Sequence, residues 1–181
     1  APSAPLARRA GGRRASFYGL AAGRGGGGPK GKRPGARAAY ENTLGMVLGM
    51  AAGADFLFGA GLLDSVQQMS LEELVIADEV FGMVTRLMRG VSVDRETLAV
   101  DLSKKMGFKG DYLLESHTRA HVRELWQARL GETGTYDGWK NAGSPRLEEK
   151  ARAVANGILA SPPPEFPAEL GRTFDEIIAA V

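Results

Sequence analysis

The sequence predicts an α/β chain, helix-rich in its second half, that holds two strands of a larger parallel sheet or barrel. Three observations carry this expectation. Two short apolar runs, 16–22 and 54–58, are each followed by glycine and read as strands. Capped apolar patterns at three- and four-residue spacing fill most of the chain beyond residue 70. The order helix, strand, glycine turn between them is that of an α/β unit. Two strands do not make an independently stable sheet, so they are read as neighbours within something larger.

Residues 1–37 are rich in Gly, Arg and Pro, with one apolar island, Ser16-Phe17-Tyr18-Gly19-Leu20-Ala21-Ala22, read as a short buried strand. The glycines at 25–28 are expected to exclude regular structure, because consecutive glycines cost the most backbone entropy on ordering. Residues 38–52 (AAYENTLGMVLGMAA) read as a small-residue helix. Gly45 and Gly49 share one of its faces and admit a close neighbour, and Gly53 ends it. Residues 54–58 (ADFLF) read as a buried strand, and Gly59-Ala60-Gly61 as a turn.

Ser70-Leu71-Glu72-Glu73 has the form of a capping box. The helix it opens runs to Arg89 and stops at Gly90, with Leu71, Leu74, Val75, Phe81, Val84 and Met88 as its buried stripe. Asp94 caps the next helix, Val93 and Leu98 take the staple positions, and Gly107 ends it. A helix over 117–130 follows, then one that starts at Ser144-Pro145 and reaches residue 160. The prolines from 162 to 164 break it, and residues 168–180 form a last short helix. The chain thus divides into 1–37, a Gly/Arg-rich edge, 38–160, the folded part, and 161–181, the Pro-rich break and terminal helix.

The net charge of +2 conceals an asymmetry. Residues 1–40 carry nine Lys and Arg and no acid, leaving 14 basic against 21 acidic groups in the rest, a balance of −7. The folded body is acidic, which argues against nucleic-acid binding by it. Cysteine is absent, which removes disulfides, thiol nucleophiles and cysteine-based zinc sites and fits a cytoplasmic location. The longest uncharged run, 42–54, is 13 residues with several glycines, too short to span a membrane. An Arg-rich, acid-free start resembles a transit peptide, but it lacks the serine richness and amphipathic pattern of one.

No catalytic signature stands out. Gly26-x-x-x-x-Gly31-Lys32 approaches a phosphate-binding loop, yet Arg33 and Pro34 stand where a hydroxyl residue and a helix start are required. The bland reading is a glycine loop. A third possibility is a loop at a barrel mouth, where backbone comes close to a flat ligand. His117 and His121 share a helix face, a spacing that binds metals, but with only Glu115 and Glu124 nearby in sequence they read as packed or surface histidines, and no metal site is assigned. The adjacent pairs Glu72/Glu73, Asp78/Glu79 and Glu148/Glu149 read as helix-start or solvent charges. Asp64 follows a strand and its glycines, where α/β proteins gather ligand groups, although a loop Asp is more often a cap. Trp126 and Trp139 read as anchors that pack helices.

Beyond this, the runs AAYENTLGMVLGMAAGADFLFGAGLLDS, MSLEELVIADEVFGMVTRLMRGVSVDRETLAVDL and GDYLLESHTRAHVRELWQARL resemble the trimethylamine methyltransferase family. These are corrinoid-dependent enzymes whose non-pyrrolysine branch demethylates glycine betaine and related quaternary amines. The resemblance covers residues 36–160 and rests on order: Gly-Ala-Asp strand, Gly-Leu-Leu turn, capped helix, V-D-x-x-T-L-A, then the H-T helix. It implies the C-terminal part of a (β/α)₈ TIM-like barrel, which needs more residues than this chain has. It further implies transfer of a methyl group from a methylated amine, quaternary or trimethylamine, to the Co(I) of a corrinoid held by a partner protein and not bound tightly here. The absence of an obvious acid/base pair agrees with a leaving amine that departs neutral. The C-terminal strand ends would then face substrate and corrinoid, which assigns Gly25, Gly26, Gly27, Gly28, Phe58, Gly59 and Asp64 to that role, with Phe58 a candidate wall of an ammonium cage. Implied partners are the corrinoid protein and the amine, with no membrane, and a homo-oligomer is left open. The competing expectation is a non-catalytic binding or structural module whose basic Gly/Arg arm contacts RNA, or a truncated structural paralogue.

Overall fold

Small residues decide how the helices meet. The computed structural model describes residues 17–25, 28–162 and 167–179. Helix α1 (Ala36–Ala51) buries Ala38, Asn42, Met46 and Gly49, one stripe at three- and four-residue spacing. Helix α2 (Leu71–Met88) lies against it and buries Glu73, Ile76, Ala77, Val80 and Val84. Of the expected stripe on α2, only Val84 is buried, while Leu71, Leu74, Phe81 and Met88 are exposed. This helix is apolar on more than one side, so periodicity alone does not select the inner face. Ala77 and its β-branched neighbours win because they allow closer approach than Leu or Phe.

Helix α7 (Leu147–Ala160) packs on α2 through Ala151 and Ala155. The resulting core joins Met46, Ile76, Ala77, Val80, Val84, Leu130 and Ala151, with Leu57, Val75 and Leu147 at its margin. Helix α7 begins two residues after Pro145, at an Arg146 N-cap whose backbone N–H donates to Glu149 Oε2 at 2.8 Å. Helix α8 (Ala168–Ala179) closes the described chain. None of the described helices is long and apolar enough to cross a membrane.

Strand β1 (Gly23–Gly25) pairs in parallel with β2 (Phe56–Phe58), in the register Gly23 to Phe56, Arg24 to Leu57 and Gly25 to Phe58. This corrects two expectations. The first strand lies just beyond 16–22, of which residue 16 falls outside the described residues, Phe17 to Gly19 are exposed helical and turn backbone, and Leu20 is exposed irregular chain. Gly25 is inside the strand, although glycine was expected to exclude it. Pairing overrides propensity here: Ala22 N–H donates to Asp55 Oδ2 at 2.7 Å, and Asp55 N–H returns to Ala22 O at 3.0 Å. A Cβ on Gly23 would collide with the Phe56 ring, so glycine gives that ring its place. The second strand was expected to be buried. Instead Leu57 alone turns toward the helical core, and Phe56 and Phe58, on the other face by the period of two, are 55% and 58% exposed.

After β2 comes an antiparallel hairpin, β3 (Leu62–Leu63) with β4 (Gln68–Met69), where only a turn was foreseen. Downstream, the helix capped by Asp94 divides at Ala99 (φ 48) into α3 (Arg95–Leu98) and α4 (Val100–Met106), and Gly107 ends it as expected. The staple residues Val93 and Leu98 are exposed. The helix expected over 117–130 is only α5 (Ser116–His121), extended by a 3₁₀ turn over Val122–Glu124. Glu79 explains why it stops. Its carboxylate accepts from the N–H groups of Arg129, Leu130 and Gly131 at 2.7, 2.6 and 2.8 Å, holding a bend where helix was expected and setting Leu130 into the core. Glu79 is therefore not a solvent charge. A short helix, α6 (Tyr136–Asn141), precedes α7, and Trp139 anchors that junction by donating from Nε1 to Pro145 O at 3.2 Å.

The expected capping box at α2 is rearranged. Ser70 Oγ accepts from Glu73 N–H at 3.2 Å, but the residue that answers is Glu72, which accepts from the Ser70 hydroxyl at 2.7 Å and from Arg152 at 2.9 Å. The Ser70 hydroxyl and then Arg152 hold the Glu72 carboxyl down to about 2. Glu73, also expected at the surface, is completely buried. Its Oε1 accepts from Asn42 Nδ2 at 2.7 Å across the α1–α2 interface, and Oε2 has no hydrogen-bond partner. Burial pushes the Glu73 carboxyl up to about 7, against the lowering effects of Asn42 and the nearby Gly35 amide.

Two measurements follow from these contacts. The Glu73 shift raises the folded-state value above the unfolded one, so its contribution to stability is complete below about pH 4.5 and is lost as pH rises through about 7. Urea unfolding at pH 5 and pH 8 is expected to show Glu73→Gln losing less stability than the parent over that interval, by on the order of 1–3 kcal/mol. Equal slopes would show that Glu73 does not titrate in the fold. Separately, Gly23→Ala is expected to destabilise by about 1–3 kcal/mol through overpacking on Phe56, and Phe56→Ala in the same chain to recover part of that loss. Simple additivity in this cycle would remove the proposed contact.

Candidate active site

Because β1 and β2 run parallel, their C-terminal ends lie on one edge, and the register sets Gly25 beside Phe58. Open α/β sheets gather ligand groups at this edge. The segment after β1 and the hairpin after β2 then meet there. Asp64 N–H donates to Gly31 O at 2.9 Å, and Ser65 N–H to Pro29 O at 3.1 Å. A Cβ on Gly28 (φ 41) would press on Val66 Cγ2 at 2.7 Å, so the hairpin closes onto glycine backbone. The Asp64 carboxylate forms an ion pair with Lys32. On the other side, the Glu41 carboxylate of α1 accepts from Lys30 N–H at 2.5 Å and pairs with Arg37 at 3.3 Å. Gly28, Pro29 and Gly31 are buried within this clasp.

The hairpin tip is strained. Asp64, Ser65 and Val66 have φ of 48, 56 and 79° in succession. Asp tolerates the left-handed region, but β-branched Val is a true outlier there. Such strain costs on the order of 1–3 kcal/mol per residue and concentrates at functional sites. Gly59 (φ 93) and Gly61 (φ 78) supply the bends on which the hairpin leaves β2. Gly61 also leaves room for Leu74, whose Cβ lies 3.0 Å from where a Gly61 Cβ would stand.

Of the residues expected to face substrate and corrinoid, Gly25, Gly28, Phe58, Gly59 and Asp64 all fall at this edge, and Gly26 and Gly27 lie outside the described residues. Phe58 is open, with its ring 6.2 Å from that of Phe56. It also lines a cavity of about 270 Å³ between β2, α1 and α2, walled by Met46, Leu57, Leu74 and Phe81, with Asp78 as its acidic residue. Asp78 is occupied by an ion pair with Arg129. Two features of this edge escaped sequence reasoning. Lys32 was left without a role and proves to bind Asp64. Glu41 was not singled out, although an acid in the first turns of α1 beside a basic loop is a readable signal.

Comparison with known proteins gives this edge its context. The family model described as trimethylamine methyltransferase (MTTB) matches residues 1–180, a wider span than the 36–160 read from the sequence, and one that takes in the Arg-rich start. A trimethylamine methyltransferase MttB of Desulfitobacterium hafniense (strain DSM 10664 / DCB-2) is 33% identical over 165 residues, covering 91% of this chain and 33% of the relative. A glycine betaine methyltransferase of Desulfitobacterium hafniense (strain Y51) is 34% identical over 170 residues, 91% of this chain and 35% of the relative. A trimethylamine methyltransferase MttB of Methanosarcina barkeri is 34% identical over 145 residues, 80% of this chain and 29% of the relative. The chain thus spans about a third of the length of these relatives. A family match over nearly every residue, carried through the parallel strand pair and the capped helices, shows that the chain belongs to the trimethylamine methyltransferase family.

Proposed function

We propose that this chain is part of a methyltransferase that takes a methyl group from a methylated amine, and that the β1–β2 edge forms part of the reaction site within a (β/α)₈ barrel. The observation that supports this best is the register that sets Gly25 beside Phe58 at the C-terminal ends of parallel strands, in a chain whose relatives are amine methyltransferases. Phe56 and Phe58, exposed on the face of β2 opposite Leu57, would turn toward the interior of the completed barrel, with further strands pairing at the sheet edges. The remaining barrel, the partner and the choice of amine belong to the whole protein.

The methyl acceptor in this reading is a corrinoid carried by a separate protein, and its reduced cobalt supplies the nucleophile. The residues present suit a flat co-substrate. Gly25 keeps a side chain off the C-terminal end of β1, and the clasp formed by Lys32–Asp64 and Glu41 fixes the loop that follows it. The chain's own contribution is to position and stabilise. Phe58 would offer its ring face to the substrate ammonium. A quaternary amine that loses a methyl leaves as a neutral tertiary amine with the bond's electron pair on nitrogen, so no proton has to be delivered. That accounts for a site with glycines and an aromatic ring in place of an acid/base pair. The alternative of an RNA-contacting module finds no support, since the family match includes the basic arm from residue 1.

The test is methyl transfer by the full-length protein with a reduced corrinoid protein and a panel of methylated amines. Turnover with at least one amine is expected, with Phe58→Ala raising its KM by roughly 3–30-fold as the cation–π contact is lost. No turnover with any amine by a folded protein would remove the enzyme reading. Turnover with an unchanged KM in Phe58→Ala would remove Phe58 from the site.

A further inference from the structure

The segment from residue 90 to residue 129 buries none of its described side chains. It is built of short helices, α3, α4 and α5, with 3₁₀ turns between them. Segments without an apolar core are commonly held by disulfides or metals, and this chain has no cysteine. A polar cluster lies where α5 meets α3. His117 and His121, one turn apart on α5, both reach Glu96 of α3. His121 Nε2 lies 2.8 Å from Glu96 Oε1, and His117 Nε2 lies 3.8 Å from the same oxygen and 3.0 Å from the Glu96 carbonyl. The two imidazole rings lie 4.6 Å apart.

We propose that Glu96, His117 and His121 bind a divalent transition-metal ion of the Zn²⁺ class, which staples α5 to α3. Three observations carry this. The donor set, two imidazoles and a carboxylate, is a common set of three protein ligands for zinc, leaving a fourth position for water. The ligand atoms all lie within 4.8 Å of one another. Zinc bonds of about 2.0–2.1 Å place tetrahedral ligands roughly 3.3 Å apart, so small side-chain adjustments bring the three atoms onto one ion. The outer partner is also present: the second ring nitrogen of His121, Nδ1, lies 2.9 Å from Glu124 Oε1. That is the carboxylate–histidine arrangement that fixes the tautomer and orients a ligating imidazole. The histidine side chains are about one-quarter exposed and Glu96 more so, which leaves an entry path for the ion.

The site is separate from the strand-end edge, and its role is to order a coreless segment. It also changes the meaning of the histidine pair, which from sequence had only Glu115 and Glu124 as partners. The third ligand comes from 21 residues upstream of His117, across helix α4 and two 3₁₀ turns, where no spacing rule would seek it.

The experiment is calorimetric titration of Zn²⁺ into the full 181-residue chain, stripped with a chelator, at pH 8. Without metal, Glu96 and Glu124 push the His121 imidazole up to about 8, so lower pH adds competition from a proton. One equivalent is expected to bind. H117A, H121A and E96Q are expected to weaken binding at least 10-fold, and E124Q about 10-fold through loss of the outer partner. E115Q, whose carboxylate pairs with Lys105 instead, is expected to leave affinity unchanged. Absence of saturable binding, or affinity in H121A and E96Q equal to that of the parent chain, overturns the proposal. Should the histidine variants fail to fold, Co²⁺ absorption on the parent chain decides: intense visible bands of a four-coordinate ion support the site, and their absence overturns it.

Discussion

The buried hydrogen bond between Asn42 and Glu73 is the constraint on which the arrangement of this chain depends. It joins the two helices that each follow one strand end, α1 after the glycine loop and α2 after the hairpin. A buried carboxyl is costly and is tolerated only with a partner. The apolar residues around it, Met46, Ile76, Ala77 and Val80, could slide past one another at little cost. Asn42 and Glu73 cannot, because a shift of one residue would strand both polar groups. The pair therefore sets the register of α1 against α2, as single buried polar residues do in coiled coils. Its location, the third residue of α2 and the seventh of α1, puts that register close to the loops that carry the proposed chemistry.

The strand-end edge inherits its geometry from this helix pair. Polar clasps then hold the loops to each other: Glu41 to the Lys30 amide, Lys32 to Asp64, and backbone bonds from Asp64 and Ser65 to Gly31 and Pro29. Exposed ion pairs contribute little by themselves, typically under about 1 kcal/mol. Backbone bonds and glycine contacts must therefore carry most of the positioning. That ranking explains why Gly28 is demanding: the hairpin's Val66 sits where its Cβ would be. The three left-handed residues at the tip are held by the same bonds, in keeping with strain that persists only where surroundings over-determine it.

The helix–strand–glycine order and most helix ends were legible, because caps and stops are local: Ser70, Asp94 and Gly107 act where their sequence positions say. What failed was decided at a distance. The first strand lies at 23–25 because Asp55 and Phe56, some thirty residues on, hold it there. The helix after His117 ends early because Glu79 captures amides fifty residues away. The inner face of α2 was misread because several of its faces are apolar and only packing selects among them. That Gly25, Gly28, Phe58 and Gly59 fall together at the strand-end edge was legible from the strand–glycine order. The Lys32–Asp64 pair was not, since nothing in the spacing of two loop charges states that they meet.

That the proposed function rests on family likeness and not on a motif has its own chemical reason. Motifs are conspicuous where a protein must hold a nucleophile, a base and its orienter at fixed spacing. When a co-substrate provides the nucleophile and the leaving group departs neutral, the protein's task reduces to shape: room for a flat ring, an aromatic face for a cation, and a rigid frame. Glycine, phenylalanine and small helix-packing residues perform that task, and they are the commonplace residues of any core or turn. A site of this kind is nearly invisible residue by residue. It becomes visible only when parallel pairing sets those commonplace residues at one edge, as Gly25 and Phe58 are set here.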